Sequence, residues 1–227
     1  MNIAIIPARG GSKRIPRKNI KLFHGKPMIA YSIEAAFASK CFDKVIVSTD
    51  DSEIAEVAKR YGAEVPFIRP SDIADDYATT LEVMQHAIKW CQANNFKANH
   101  VCCIYATAPL LLPEYIQQGL KALEKEGVQY TFSATSFPFP IQRAIKLDTG
   151  HRVQMFQPEH LNTRSQDLEE AYHDAGQFYW GKVTAFLNGQ SFFSPHSKAI
   201  LLPRKRVQDI DTVNDWEFAE ALYKALL

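Results

Sequence analysis

The chain has 227 residues, with 26 lysines and arginines set against 25 aspartates and glutamates for a net charge of +1. That length suits one substantial core, and the balanced charge argues against nucleic acid, which selects a basic face across a whole domain. Four cysteines (Cys41, Cys91, Cys102 and Cys103) show no C-x-x-C spacing, so free buried thiols are expected, not zinc or disulfides.

Short apolar strands alternate with amphipathic helices along the chain, the pattern of an α/β fold with a mostly parallel sheet covered on both faces. Strands are predicted at Ile3–Pro7, Lys44–Ser48, Val65–Ile68, His100–Ala106, Tyr130–Ala134 and Ala199–Pro203. Helices are predicted at Met28–Ser39, Ser52–Tyr61, Thr80–Asn94 and Pro113–Glu126, with a closing helix from Val213. Asp51 or Ser52 suits the start of the second helix and Gly62 its end, Pro113 suits the first turn of the fourth, and Thr212 with Asp215 reads as a capping box. Residues 136–175 break this rhythm. Phe137-Pro138-Phe139-Pro140 cannot join a central strand, because its prolines lack amide donors. The expectation is a single domain over 1–227 with an inserted excursion at about 136–175. No apolar run approaches the roughly 18 residues of a membrane span, and no signal peptide precedes the first strand, so a cytoplasmic protein without a membrane partner is expected.

The first strand opens into Pro7-Ala8-Arg9-Gly10-Gly11-Ser12-Lys13-Arg14-Ile15-Pro16-Arg17-Lys18-Asn19, which carries two glycines and five cations. Glycines permit unusual backbone angles and close approach of a ligand, while amides and fixed cations stabilise anionic oxygens. The loop therefore reads as a polyphosphate cradle. It is neither the G-x-G-x-x-G of dinucleotide sites nor a P-loop. Near the other end, Asp209-Ile210-Asp211 would place two carboxylates on one side of an extended segment. Such a pair suits magnesium, which takes one or two carboxylates plus phosphate oxygens. On the residues alone, Asp211 as a helix cap stays open. In open sheets of this kind ligands bind beyond the carboxyl ends of the strands, so both segments are expected on that edge.

The loop motif resembles the signature of the acylneuraminate (sialic acid) cytidylyltransferase family, and the resemblance covers essentially the full chain. It implies a three-layer Rossmann-like nucleotidyltransferase fold, CTP as co-substrate, Mg2+ as cofactor, an acidic nine-carbon sugar as acceptor, and a homodimer in which the excursion completes the partner's sugar pocket. It implies phosphate contacts at Ala8, Arg9, Gly10, Gly11, Ser12, Lys13, Lys18 and Asn19, with Arg9, Lys18 and Asp211 in the catalytic set and Asp209 and Asp211 on the metal. Arg69-Pro70-Ser71, with Asp76 and Thr79-Thr80 downstream, resembles the segment that reads cytosine; Thr79 suits a helix cap and Thr80 the base. For the acceptor sugar it implies Ala106, Thr107, Gln142, Arg143, Gln177, Phe178 and Tyr179. Sialate-activating relatives usually carry glutamine where this chain has Ala106. Arg14-Ile15-Pro16-Arg17-Lys18-Asn19, Phe137–Arg143 and Asp174-Ala175-Gly176-Gln177-Phe178 resemble instead the branch that activates pseudaminic acid. The expected activity is cytidylyl transfer from CTP to the anomeric hydroxyl of such a sugar. The rival readings are another acidic sugar, such as an N-acylneuraminate, and a non-catalytic nucleotide sensor on the same scaffold.

Overall fold

The computed structural model describes every residue from Met1 to Leu227 except Asp76, so the reading placed on that aspartate lies outside the described residues. Among the described residues, ten strands and six α-helices follow in the order β1 (Asn2–Pro7), β2 (Leu22–Phe23), β3 (Lys26–Pro27), α1 (Met28–Ser39), β4 (Lys44–Ser48), α2 (Ser52–Arg60), α3 (Thr80–Ala93), β5 (His100–Ile104), α4 (Pro113–Leu123), β6 (Tyr130–Ser136), β7 (Ile145–Leu147), β8 (Val153–Met155), β9 (Tyr172–Lys182), α5 (Val183–Leu187), β10 (Ser197–Leu201) and α6 (Val213–Ala225). Six strands form the central sheet in the order β10-β6-β9-β5-β1-β4. All pair in parallel except β9, which runs antiparallel to both neighbours.

Alternation along the strands divides the core into two layers. Ala4, Ile6, Val47, Cys102 and Ile104 face α1, α2 and α4. Ile3, Ile5, Val101 and Cys103 face α3 and α5. Adjacent Cys102 and Cys103 are thus free, fully buried thiols on opposite faces of the sheet. The predicted caps form: the Asp51 carboxylate accepts from the Ile54 amide, and Thr79 with Glu82 and Thr212 with Asp215 each complete a capping box. Because Thr212 holds the N-cap, the Asp211 side chain is left for other work.

Two sequence expectations are corrected. Residues 65–68 form no strand; a single bridge, from Glu64 just before them to Ile46, is not extended, since Pro66 lacks an amide to continue a ladder and Ile68 is 60% exposed. Conversely, the sequence pattern does not predict β9. Its early residues, expected in the excursion, belong to the sheet, so the excursion spans 137–171. It leaves the end of β6 and re-enters at the start of β9, its neck closed by the Phe137 amide on the Ala171 carbonyl. Within it, β7 and β8 pair as a hairpin.

The third apolar cluster sits under the loop after β1 and decides the site. Ile15, Phe23, Met28 and Tyr31 pack with Ile210, Trp216 and Ala219, all buried. Residues near the start of the chain are thereby fixed against the segment leading into α6. No helix among the described residues is long and apolar enough to cross a membrane.

Candidate active site

A cleft of about 520 Å³ lies beyond the carboxyl ends of β1 and β5. Arg9, Ser12, Lys13, Lys18 and Asn19 line it together with Arg69, Thr80 and Tyr105, with Ala106, Thr107 and Asp211 completing the wall. The topology places the strand ends on one edge, and the Ile15–Ile210 cluster brings the C-terminal segment to meet them.

At the cationic end, the Lys18 ammonium donates to the Ile210 carbonyl at 2.5 Å and to Asp211 Oδ1 at 3.3 Å, across 192 and 193 residues of chain. Arg14 reaches the same carboxylate oxygen at 2.9 Å. Asn19 is nearly buried and its Nδ2 donates to the Arg9 carbonyl, pinning the loop from within. The loop's shape differs from expectation in one respect. Neither Gly10 nor Gly11 adopts a positive φ; the left-handed residue is Arg17, at φ 57. Gly10 is required for room instead, because a Cβ there would meet the Asp51 carboxylate at 2.7 Å, whereas Gly11 faces open space. The Gly10 amide donates to Asp50 Oδ1 at 2.9 Å. Arg17 turns away from the cleft to Asp51 and Glu53.

Arg69 is 5% exposed, yet its Nε and Nη2 have no hydrogen-bond partner. Its nearest carboxylate, Asp50, stands 4.0 Å away. Burial, opposed by Asp50 and reinforced by the charge of Arg9, lowers its affinity for the proton. A buried guanidinium with unsatisfied donors facing a cleft costs free energy until a ligand supplies acceptors. Thr79 caps α3 and leaves Thr80 to the cleft, where Thr80 Oγ1 lies 2.9 Å from the Tyr105 hydroxyl.

Ile210 buried between them leaves Asp209 and Asp211 flanking the site, Asp211 on this cleft and Asp209 on an adjoining one. Shielding by protein, then the charge of Asp211, raises the Asp209 carboxyl above its ordinary range, with Lys18 acting in the opposite sense. Residual repulsion between two carboxylates fits a hard divalent ion that also takes phosphate oxygens and water. Among the described residues no group of three or more His, Cys, Asp or Glu side chains could hold a metal, so such an ion would draw its remaining ligands from substrate and solvent.

The adjoining cleft, of about 610 Å³, is walled by Thr135, His173, Arg204, Lys205 and Asp209 among others. Sequence reasoning did not single out Arg204 or Lys205 for the site, because their placement depends on β10 lying beside β6. Several expected contacts fall elsewhere. The Ala8 side chain is buried and its amide is committed to the Ser48 carbonyl. Phe178 is fully buried and leaves no space above Gly119, where a Cβ would stand 2.8 Å from its ring, so it is a core residue and not a sugar contact. Gln177 is buried with Nε2 on the Arg206 carbonyl. Tyr179 is buried with its hydroxyl on Asp174. Gln142 and Arg143 lie on the excursion, engaged with the Glu169 and Thr163 carbonyls.

A family model described as cytidylyltransferase matches residues 3–221. The chain belongs to the cytidylyltransferase family. Within it, the chain is 52% identical to a pseudaminic acid cytidylyltransferase of Campylobacter jejuni over 223 residues, 98% of this chain and 96% of that one. It is 33% identical to a CMP-N,N'-diacetyllegionaminic acid synthase of Legionella pneumophila, covering 97% and 95%. An N-acylneuraminate cytidylyltransferase of Escherichia coli is 32% identical over 96% of this chain and 51% of that relative. The cytidylyltransferase fold is also that of a CMP:2-keto-3-deoxy-manno-octonic acid synthetase solved with CTP, at TM-score 0.72 and 16% identity over 100% of this chain and 99% of that one.

Proposed function

We propose that this chain transfers the cytidylyl group of CTP to the anomeric hydroxyl of pseudaminic acid and releases pyrophosphate. The observation that carries the reading is the cleft itself: N-terminal cations, a buried guanidinium with open donors and a carboxylate from the far end of the chain surround a space of about 520 Å³. The 52% identity to the Campylobacter jejuni relative supports the acceptor.

The triphosphate lies against Arg9, Ser12, Lys13 and Lys18, and the base lies toward Arg69 and Thr80. The acidic sugar occupies the adjoining cleft, whose Arg204, Lys205 and His173 suit a carboxylate. Asp209 and Asp211 stand on the boundary, where the sugar hydroxyl meets the α-phosphorus. The hydroxyl oxygen forms a bond to phosphorus, the bond to the bridging β-phosphate oxygen breaks, and the hydroxyl proton leaves to solvent. Arg9, Lys13 and Lys18 stabilise the charge that grows on the departing pyrophosphate, and positioning supplies most of the remaining acceleration. Magnesium held by Asp209 and Asp211 would polarise the α-phosphate and favour ionisation of the hydroxyl. The test is pyrophosphate release from CTP with pseudaminate, legionaminate or sialate supplied separately. Pseudaminate should give the highest kcat/KM; preference for either other sugar would overturn the acceptor, and CTP binding without turnover of any would favour a sensor.

The excursion supports a homodimer. Phe139, Phe156 and Leu161 are 79%, 63% and 66% exposed there, and an exposed apolar patch of this kind commonly marks an interface. In the dimer, Gln142 and Arg143 would complete the partner's sugar site. Sedimentation should give a dimer at micromolar concentration and a monomer for Phe139→Ser with Leu161→Ser; a monomeric parent chain would refute the assembly.

A further inference from the structure

Arg17 carries the backbone strain of the Arg9–Asn19 loop, yet its side chain does not line the nucleotide cleft. Its φ of 57 lies in the left-handed region, which residues other than glycine, asparagine and aspartate seldom occupy. The guanidinium shows how that conformation is held. Nη1 and Nη2 donate to the two oxygens of the Asp51 carboxylate at 2.5 and 3.0 Å, and Nη2 also donates to Glu53. Such a fork fixes direction as well as distance.

Asp51 is itself held in place. Its Oδ1 accepts from the Ile54 amide at the start of α2, and its carboxylate fills the space that a Cβ on Gly10 would need. The hydrogen bonds from Arg17 keep this carboxyl below its ordinary range, so it stays charged. The neighbouring Asp50 accepts from the Gly10 amide. The loop is thus fastened to the head of α2 through Gly10 on its first arm and through Arg17 on its second. Lys18 follows directly and turns the opposite way. Its ammonium reaches the Ile210 carbonyl at 2.5 Å and Asp211 at 3.3 Å, inside the cleft. The Arg17 carbonyl accepts the Ile20 and Lys21 amides, which continues the turn. A rotation of the backbone at Arg17 would therefore swing Lys18 out of place.

We propose that Arg17 is a positioning residue for cytidylyl transfer: gripped by Asp51 and Glu53, it holds the left-handed turn that aims Lys18 at the triphosphate. This role presupposes the reading of Lys18 as a phosphate contact. A clamp differs in sign from a mere extra charge. If Arg17 only added positive potential, removing the negative charges of Asp51 and Glu53 would tighten binding of a polyanion. If it is a clamp, removing them frees the fork and weakens binding.

Calorimetric titration of the full chain with CTP separates the two and needs no acceptor sugar. Arg17→Ala should weaken CTP binding by about tenfold, through displacement of a charged group from its working position. Arg17→Gly, which takes the left-handed angle without strain, should lose only about threefold. Asp51→Asn combined with Glu53→Gln keeps an acceptor for the cap of α2 and should also weaken binding, by about threefold. In a Lys18→Met background, Arg17→Ala should cost less than about twofold more, because its effect passes through the lysine. A merely structural support would cost the same in both backgrounds. Unchanged or tighter CTP binding by the Asp51→Asn, Glu53→Gln chain overturns the clamp, and so does an Arg17→Ala loss undiminished beside Lys18→Met. If Arg17→Ala misfolds by circular dichroism, the Asp51→Asn, Glu53→Gln chain decides by its sign. If Lys18→Met binds CTP as the parent does, the reading of the loop falls and the clamp with it. If Lys18→Met weakens binding and Arg17→Ala does not, that reading stands and the clamp alone falls.

Discussion

Asp211→Asn is expected to lower turnover by about a hundredfold or more, the scale of losing a preorganised electrostatic group at a reacting centre. The substitution is nearly isosteric, and the amide oxygen can still accept from Lys18, so the loop should keep its place. What vanishes is the negative charge that Arg14 and Lys18 share. The pair is partly exposed, with the Asp211 side chain at 40%, and exposed ion pairs contribute roughly 0–1 kcal/mol to stability. The melting temperature should therefore stay within a few degrees of the parent. Arg14→Ala serves as contrast: its side chain is 65% exposed, and turnover should change far less. Steady-state pyrophosphate release across a magnesium titration checks both. Near-normal turnover by Asp211→Asn at every magnesium concentration would remove this residue from the catalytic set.

Arg69→Met should move stability and binding in opposite directions. The guanidinium is buried, two of its donors lack acceptors, and Arg9 adds like charge. Replacing a poorly compensated buried charge with an apolar side chain of similar length commonly stabilises by about 1–4 kcal/mol. For a chain of this size, each kcal/mol shifts the midpoint by about 2–4 °C. The backbone bond from the Arg69 amide to the Thr49 carbonyl survives the change, so local structure should hold. CTP affinity should fall by about a hundredfold, since a buried charged hydrogen bond lost on one side only costs about 2–5 kcal/mol. Melting curves with and without CTP read both effects. A variant that melts lower than its parent and still binds CTP normally would make Arg69 a structural residue.

Legibility of this fold in the sequence follows the kind of signal each element carries. β1, β4 and β5 are near-continuous apolar runs, α2 and α3 begin at side-chain caps and α4 at a first-turn proline, so pattern alone finds them. β9 escapes because Tyr-His-Asp-Ala-Gly-Gln-Phe-Tyr-Trp-Gly-Lys has no clean alternation and two glycines. Gly181 stands in that strand because a Cβ would lie 2.5 Å from the rings of Tyr130 and Phe186, a constraint set by distant residues. The cleft was largely readable, since the Arg9–Asn19 loop, Arg69, Thr80 and Asp211 do converge. The acceptor side was not. Phe178 looks like a pocket aromatic until the sheet register turns it into the core, and Asp174 meets Tyr179 only through a bulge that no spacing rule foretells.

The tie between Lys18 and the Ile210 carbonyl sets a schedule for the chain as it is made. Synthesis delivers the phosphate-facing loop 192 residues ahead of its anchoring segment, and closing so long a span is a slow step. A nascent polypeptide still attached to the ribosome would carry its cations without the opposing aspartates. Competence for nucleotide should thus switch on only as α6 docks.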